Sequence, residues 1–240
     1  MVFRNKLLTQ GKLFYKHRAW FNILIIIVLL PLYLIRDNNP DSLISSSLIF
    51  ETLYDISLLI LSLFGLFIRI YAKGYSPKRF FFPENSGLYS LMRHPIYFSN
   101  YIIWLGMVAL SFNLWFVIVY TLAYILYYER IMFAEEEFLI KKYQDKFLDY
   151  SSNTSILYPK FSNYIKPKRK FDFSKIINKE LDYYILIIMV FTLLNIIGNL
   201  LNANNNFNYP IIILSLISLI LYLIVSILKY KTNLFNQKEK

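Results

Sequence analysis

The sequence predicts an all-α integral membrane protein: about six transmembrane helices, with an amphipathic helix and a loop-rich segment on the cytoplasmic face. Three observations carry this. Of 240 residues, 57% are hydrophobic and 17% charged, whereas soluble domains lie nearer half apolar and a quarter charged. Several apolar runs approach the roughly 20 residues a helix needs to cross a bilayer. The Lys and Arg residues fall on one side of those runs.

Taken in order, spans are expected near 20–35, 48–71, 96–112, 114–128, 183–201 and 209–228. The basic N-terminal segment precedes an apolar run with no small-residue cleavage site, so the first span reads as retained rather than as a signal peptide. Threading from a cytoplasmic N-terminus places segments 1–19, 72–95, 129–182 and 229–240 inside. Every Lys and Arg then lies inside except Arg36, which is external, and Arg69, at the inner end of the second span. This positive-inside pattern puts both termini in the cytoplasm. The net charge of +11 thus sets orientation and favours anionic lipid headgroups; no nucleic-acid partner is expected. With no cysteine, disulfides, thiolate nucleophiles and zinc–thiolate sites are excluded. Two histidines are too few for a histidine-rich metal site, and no metal is expected.

Between the spans, 37–47 reads as an external loop and "NANNNFN", 202–208, as an external turn. Asn113 divides a tight hairpin of two short helices. Residues 160–180 form a basic linker with recurring aromatics, read as an interfacial segment whose lysines snorkel. Tyr183 to Leu228 carries no charge, and Asn195 and Asn199, one turn apart, suit interhelical hydrogen bonding. Glu51 and Asp55 sit in the first turns of the second span, where acids suit the helix dipole.

The chemistry concentrates in 74–159. "GYSPKRFFFPENSGLYSLMRHP" reads as a loop along the membrane face, and Pro95 opens the third span, since its missing N–H costs nothing in a first turn. The free N–H groups of that turn favour an anion. Arg93 and His94 stand beside it, and Tyr89, Tyr97 and Tyr101 offer flat rings. Two readings stay open: a cradle for a small anion beside a ring, or a positively charged interfacial belt with Tyr anchors.

The stretch "YYERIMFAEEEFLIKKYQDKFLDY", 127–150, continues the fourth span as an amphipathic helix. Tyr128, Met132, Leu139, Tyr143, Phe147 and Tyr150 form one stripe at 100° per residue. Glu135 and Glu136 fall on its margins, and Glu137 faces away. A carboxylate beside an apolar stripe needs a partner, either a ligand ammonium or a neighbouring Arg. The alternative is a solvated Glu run pairing with Lys141 and Lys142. An amino-acid zwitterion bearing an aromatic base would satisfy loop and helix together.

The motifs "SGLYSLMRHPIYFSNY" and "AEEEFLIKKYQDKFLDY", followed by Pro159, resemble the isoprenylcysteine carboxyl methyltransferase family and the related phospholipid methyltransferases. Gly87, Tyr89, Arg93, His94, Pro95 and Tyr97 match the family's first motif. Glu135, Glu136 and Leu139 match its second, with Tyr143, Phe147 and Tyr150 at the aromatic positions. The resemblance implies S-adenosylmethionine-dependent methyl transfer at a membrane surface. It places Tyr89, His94, Pro95, Ile96, Tyr97 and Glu135 around the cofactor, with Phe81, Phe82, Pro83 and Glu84 contributing further contacts in the cofactor-binding loop. It implies a membrane lipid or lipidated acceptor, and a home in a bacterial inner membrane or the endoplasmic reticulum.

The chain departs from the family pattern at three places. Ser99 stands where the family has Gly. Tyr143–Gln144 replaces its Phe–Gly. Ile131 occupies the position of an acceptor-contacting Arg, so the candidate acceptor contact is Arg130, which a helical wheel turns about 140° from Glu135. On this reading 1–72 is an N-terminal helix pair, 73–160 the methyltransferase core, 161–182 a basic interfacial linker and 183–240 a C-terminal helix pair extra to the core. An NADPH-dependent reductase of the sterol-reductase type and a non-enzymatic lipid-binding scaffold are the competing readings. The sequence carries no signal for oligomeric state.

Overall fold

The computed structural model describes residues 2–37, 48–76, 85–201 and 209–231. The external loop of 37–47, the turn of 202–208, and Phe81, Phe82, Pro83 and Glu84 thus fall wholly or almost wholly outside the described residues. The helices are α1 (Val2–Lys16), α2 (Arg18–Asp37), α3 (Leu48–Tyr75), α4 (Leu88–Leu91), α5 (Pro95–Ala109), α6 (Leu114–Tyr143), α7 (Asp145–Asn153), α8 (Phe173–Lys179), α9 (Leu181–Leu201) and α10 (Tyr209–Lys231). Helices α2, α3, α6, α9 and α10 are long and apolar enough to cross a membrane, and α5 is a shorter apolar helix. The chain is an all-α integral membrane protein; five of the described helices are long enough to cross, and α5, expected as a sixth span, is shorter.

Length positions the site. With 15 residues, α5 rises only about 22 Å, less than the roughly 30 Å hydrocarbon core. Its hairpin partner α6 has 30 residues and rises about 45 Å, so one end projects beyond the hydrocarbon. That end carries the glutamate run. The hairpin turns where the Asn113 side chain caps α6, accepting from Phe116 N–H at 3.0 Å.

Helices α3 and α5 form the tightest crossing. A Cβ on Gly65 would lie 2.8 Å from Ile103 N and 3.0 Å from the Ser99 carbonyl, and one on Gly106 would overlap Ser62 Oγ. Small residues let the two backbones meet, the usual device where lipid offers no hydrophobic drive. Ser62 donates across the crossing to Ile103 O at 3.0 Å. Ser99, the departure from the family's Gly, lies fully buried in this crossing, where Gly65 leaves it room.

One expectation is corrected and one segment gains structure. The basic segment 1–19 holds a helix: α1 lies along the projecting half of α6, with Gly11 so close that a Cβ would overlap the Arg130 carbonyl oxygen. The amphipathic helix of 127–150 is not continuous. It breaks at Gln144, whose φ of 48° turns the chain into α7. Phe147 and Tyr150 of α7 are nonetheless buried, as the stripe predicts. The linker of 160–180 is braced on its neighbours: Gly87 N–H donates to Ile165 O at 2.7 Å and Asp172 N–H to Gly74 O at 3.0 Å.

Candidate active site

The loop before α5 is clamped through its backbone. Gly87 turns the chain at φ +60°, a conformation that favours glycine, and α4 follows. Arg93 N–H then donates to Ser155 O at 2.8 Å, His94 N–H to Ile156 O at 3.2 Å, and Lys160 N–H to Leu91 O at 3.1 Å. Tyr150 OH donates to Tyr89 O at 2.7 Å, and burial pushes that phenol's pKa up, so it remains a donor. The segment after α7 thus fixes Arg93 and His94 before α5 begins. His94 is the N-cap residue and Pro95 opens the helix, as the sequence implies.

Three consecutive glutamates on α6 point about 100° apart, and each meets a different partner. Glu135 accepts from Tyr97 OH at 2.7 Å and lies 3.7 Å from His94 Nδ1. Glu136 accepts from Arg93 Nη1 at 2.9 Å and shares a 3.0 Å hydrogen bond with His94 Nε2. Glu137, which the wheel turns away from the stripe, is buried and holds Arg4 of α1 through contacts of 2.6 and 2.7 Å. That carboxylate raises the Arg4 pKa further. The wheel gave Glu137 its direction correctly; α1 is what occupies that direction.

A tyrosine column seats Tyr97. Tyr124 OH donates to Tyr97 O at 2.8 Å, and the Tyr124 and Tyr128 rings stack with centroids 4.1 Å apart. The Tyr97 ring lies 5.1 Å from Tyr128 and 5.5 Å from the His94 imidazole. Burial, and Glu135 after it, push the pKa of Tyr89 well above its usual value, so that hydroxyl stays neutral.

These groups surround a cavity of about 450 Å³, and Tyr89, His94, Pro95, Ile96, Tyr97 and Glu135 all line it. Arg130 and Ile131 are not among its walls; Ile131 is fully buried and the Arg130 backbone lies against Gly11. Arg93 also lines the cavity, and its Nε is a buried donor with no partner.

Other walls were not assigned from the motifs. Tyr15, Arg18 and Asn22 enter from α1 and α2, Arg69 and Lys73 from α3, Asn100 and Trp104 from α5, and Tyr183 from α9. Arg69 Nε donates to Glu180 Oε2 at 2.6 Å, Lys73 Nζ pairs with the other oxygen, and Arg69 also bonds Asn100 Oδ1. The Arg69 guanidinium stacks 3.9 Å over the Tyr183 ring. A charge inside an apolar span is a functional signal in its own right, and by that rule Arg69 was findable. Glu180 and Tyr183 had no local signal. Among the described residues no group of three His, Asp or Glu that could hold a metal ion occurs.

Residues 56–146 match the family described as phospholipid methyltransferase, one of the two related families that the motifs resemble. The match supports a membrane methyltransferase. The cobalt-zinc-cadmium resistance protein CzcN of Cupriavidus metallidurans is 35% identical over 79 residues, which cover 33% of this chain and 36% of that protein. The chain therefore spans about a third of that relative's length. No solved structure matches.

Proposed function

We propose that the chain transfers a methyl group from S-adenosylmethionine to a lipid or lipid-anchored acceptor at the cytoplasmic membrane surface. The observation supporting this most is the convergence on one cavity of every described residue that the family resemblance assigns to the cofactor. At about 450 Å³ the cavity falls in the usual range for small-molecule sites. Its chemistry fits the cofactor. Glu135 suits an ammonium or ribose hydroxyls, and the unpartnered Arg93 Nε suits a carboxylate. The faces of Tyr89, Tyr97 and Tyr128 suit an adenine and tolerate a sulfonium.

When bound, the cofactor supplies an electrophilic methyl group on sulfur. The protein's part is alignment and exclusion of water. Tyr97 and His94 hold Glu135 from two sides, and the backbone clamp on Arg93 and His94 keeps that geometry fixed. Phe81 to Glu84 remain part of this proposal through the resemblance alone. The cytoplasmic location of the site and of both termini rests on the Lys and Arg distribution.

Calorimetry of the purified protein with S-adenosylhomocysteine tests this reading. His94→Ala removes a ring that steadies Glu135 and Glu136. A lost hydrogen bond to a charged group is worth roughly 1.5–3 kcal/mol, or about 10- to 150-fold in affinity. Binding by the parent, weakened by that factor in a folded variant, is expected. A parent that binds NADPH and not S-adenosylhomocysteine would replace this reading with the reductase.

A further inference from the structure

Four cations line the cavity, and three are already matched. Arg69 and Lys73 share Glu180, and Arg93 pairs with Glu136. Arg18 has no carboxylate partner among the described residues; its guanidinium lies over the Tyr15 ring, 4.4 Å from the centroid. One helical turn further along α2, on the same face, Asn22 presents a buried side-chain oxygen with no hydrogen-bond partner. Both residues lie before the segment that matches the methyltransferase family.

Their depth matters. Arg18 begins the apolar window of α2, which places it at headgroup level, and the neighbouring Trp20 is exposed, as aromatics at an interface are. An exposed guanidinium at the mouth that pairs with no carboxylate among the described residues, with an unmet acceptor about 6 Å further along the helix, is complementary to a particular ligand. That ligand carries an anionic group at headgroup depth and an N–H or O–H donor one turn inside.

We propose, resting on the methyl-transfer reading, that Arg18 and Asn22 are the acceptor's specificity contacts: Arg18 binds a phosphate or carboxylate of an amphiphile and Asn22 accepts from a donor beside it. In this chain the acceptor cation then comes from α2, in place of the family's Arg at the Ile131 position. Ile131 faces the core, whereas α2 presents exposed apolar residues, Trp20, Leu24 and Ile27 among them, on its outer surface. The amphiphile's chain runs along the outer surface of α2, and its headgroup turns inward toward Glu135 and Tyr97.

The test uses the full chain in neutral detergent without cofactor, so that it stands apart from the activity. The probes are short-chain phosphatidic acid, a medium-chain fatty acid, short-chain phosphatidylethanolamine and phosphatidylcholine, uncharged diacylglycerol, and inorganic phosphate, each titrated calorimetrically. Arg18→Gln is expected to weaken binding of the anionic amphiphiles by about tenfold or more, and raised salt to weaken the parent's binding in parallel. Asn22→Leu is expected to weaken phosphatidylethanolamine, which has an N–H donor, more than phosphatidylcholine, which has none. Unchanged binding in Arg18→Gln overturns the proposal. So does inorganic phosphate binding as tightly as the amphiphiles, since the site would then serve a free anion. S-adenosylhomocysteine is titrated in the same preparations. If Arg18→Gln weakens that ligand instead of the amphiphiles, Arg18 belongs to the cofactor and the proposal fails. Silence of the parent toward S-adenosylhomocysteine, with amphiphile binding intact and sensitive to Arg18, would remove the methyltransferase reading and leave the Arg18 contact standing.

Discussion

Glu180 joins the C-terminal helices to the cavity, and its removal tests how firmly. Its side chain is 1% exposed and that of Arg69 is 6% exposed. One oxygen accepts from Arg69 Nε at 2.6 Å and the other pairs with Lys73. Glu180→Ala leaves a buried guanidinium with only the Asn100 oxygen and the Tyr183 ring for company. Breaking a buried pair by deleting one partner costs roughly 3–5 kcal/mol, because the surviving charge has no compensation. That is a shift of roughly 10²- to 10⁴-fold in the folding equilibrium. Glu180→Gln should cost less, since one carbonyl oxygen still reaches Arg69. The double variant Arg69→Met with Glu180→Leu should recover most of the loss, because apolar pairs of similar volume often replace buried ion pairs at little cost. Lys73, partly exposed, can turn its ammonium outward. Equilibrium unfolding in mixed micelles, followed by circular dichroism, measures all four proteins. A Glu180→Ala variant within about 0.5 kcal/mol of the parent, or a double variant no better than the single, would refute the argument.

The glutamate run separates binding from structure. Glu135→Gln should cut affinity for S-adenosylhomocysteine by about tenfold or more with little change in unfolding. Glu137→Gln, which loosens α1, should lower the unfolding midpoint and leave affinity near that of the parent. Equal effects on affinity would count against the assignment. Gln144→Gly should stabilise the protein by about 1 kcal/mol, since a side chain at φ 48° carries backbone strain that glycine lacks; a lower midpoint for that variant would contradict it.

The spans were legible because hydropathy over some twenty residues is a local property. That Tyr89, His94, Pro95, Ile96, Tyr97 and Glu135 line one cavity was foreshadowed by the two motifs, since each motif is a short local stretch. What escaped depends on elements that return from far along the chain. Helix α1 is seated on α6 by the Gly11 contact, the Arg4–Glu137 pair and the Phe14 ring stacked on Tyr127, contacts between helices that the pattern of one helix does not reveal. The burial of Glu137 escaped for the same reason, since a helical wheel describes one helix and not its neighbour. The break at Gln144 was visible only as a departure from the family's glycine, and the backbone there shows why glycine is the usual choice. Glu180 reaches Arg69 across 111 positions of sequence, a pairing that only packing creates.

The placement of the three tryptophans has an optical consequence. Trp104 forms part of the cavity wall and is 3% exposed, whereas Trp20 and Trp115 are 68% and 76% exposed on the outer surfaces of α2 and α6. Brominated acyl chains reach the outer two and darken them, while Trp104 keeps its emission. With Trp20 and Trp115 replaced by Phe, the fluorescence that remains comes from the cavity alone. On the proposed methyl-transfer reading, the cofactor's purine entering beside that indole would change its brightness, so occupancy becomes a titration read in an intact bilayer, with no label attached to protein or ligand.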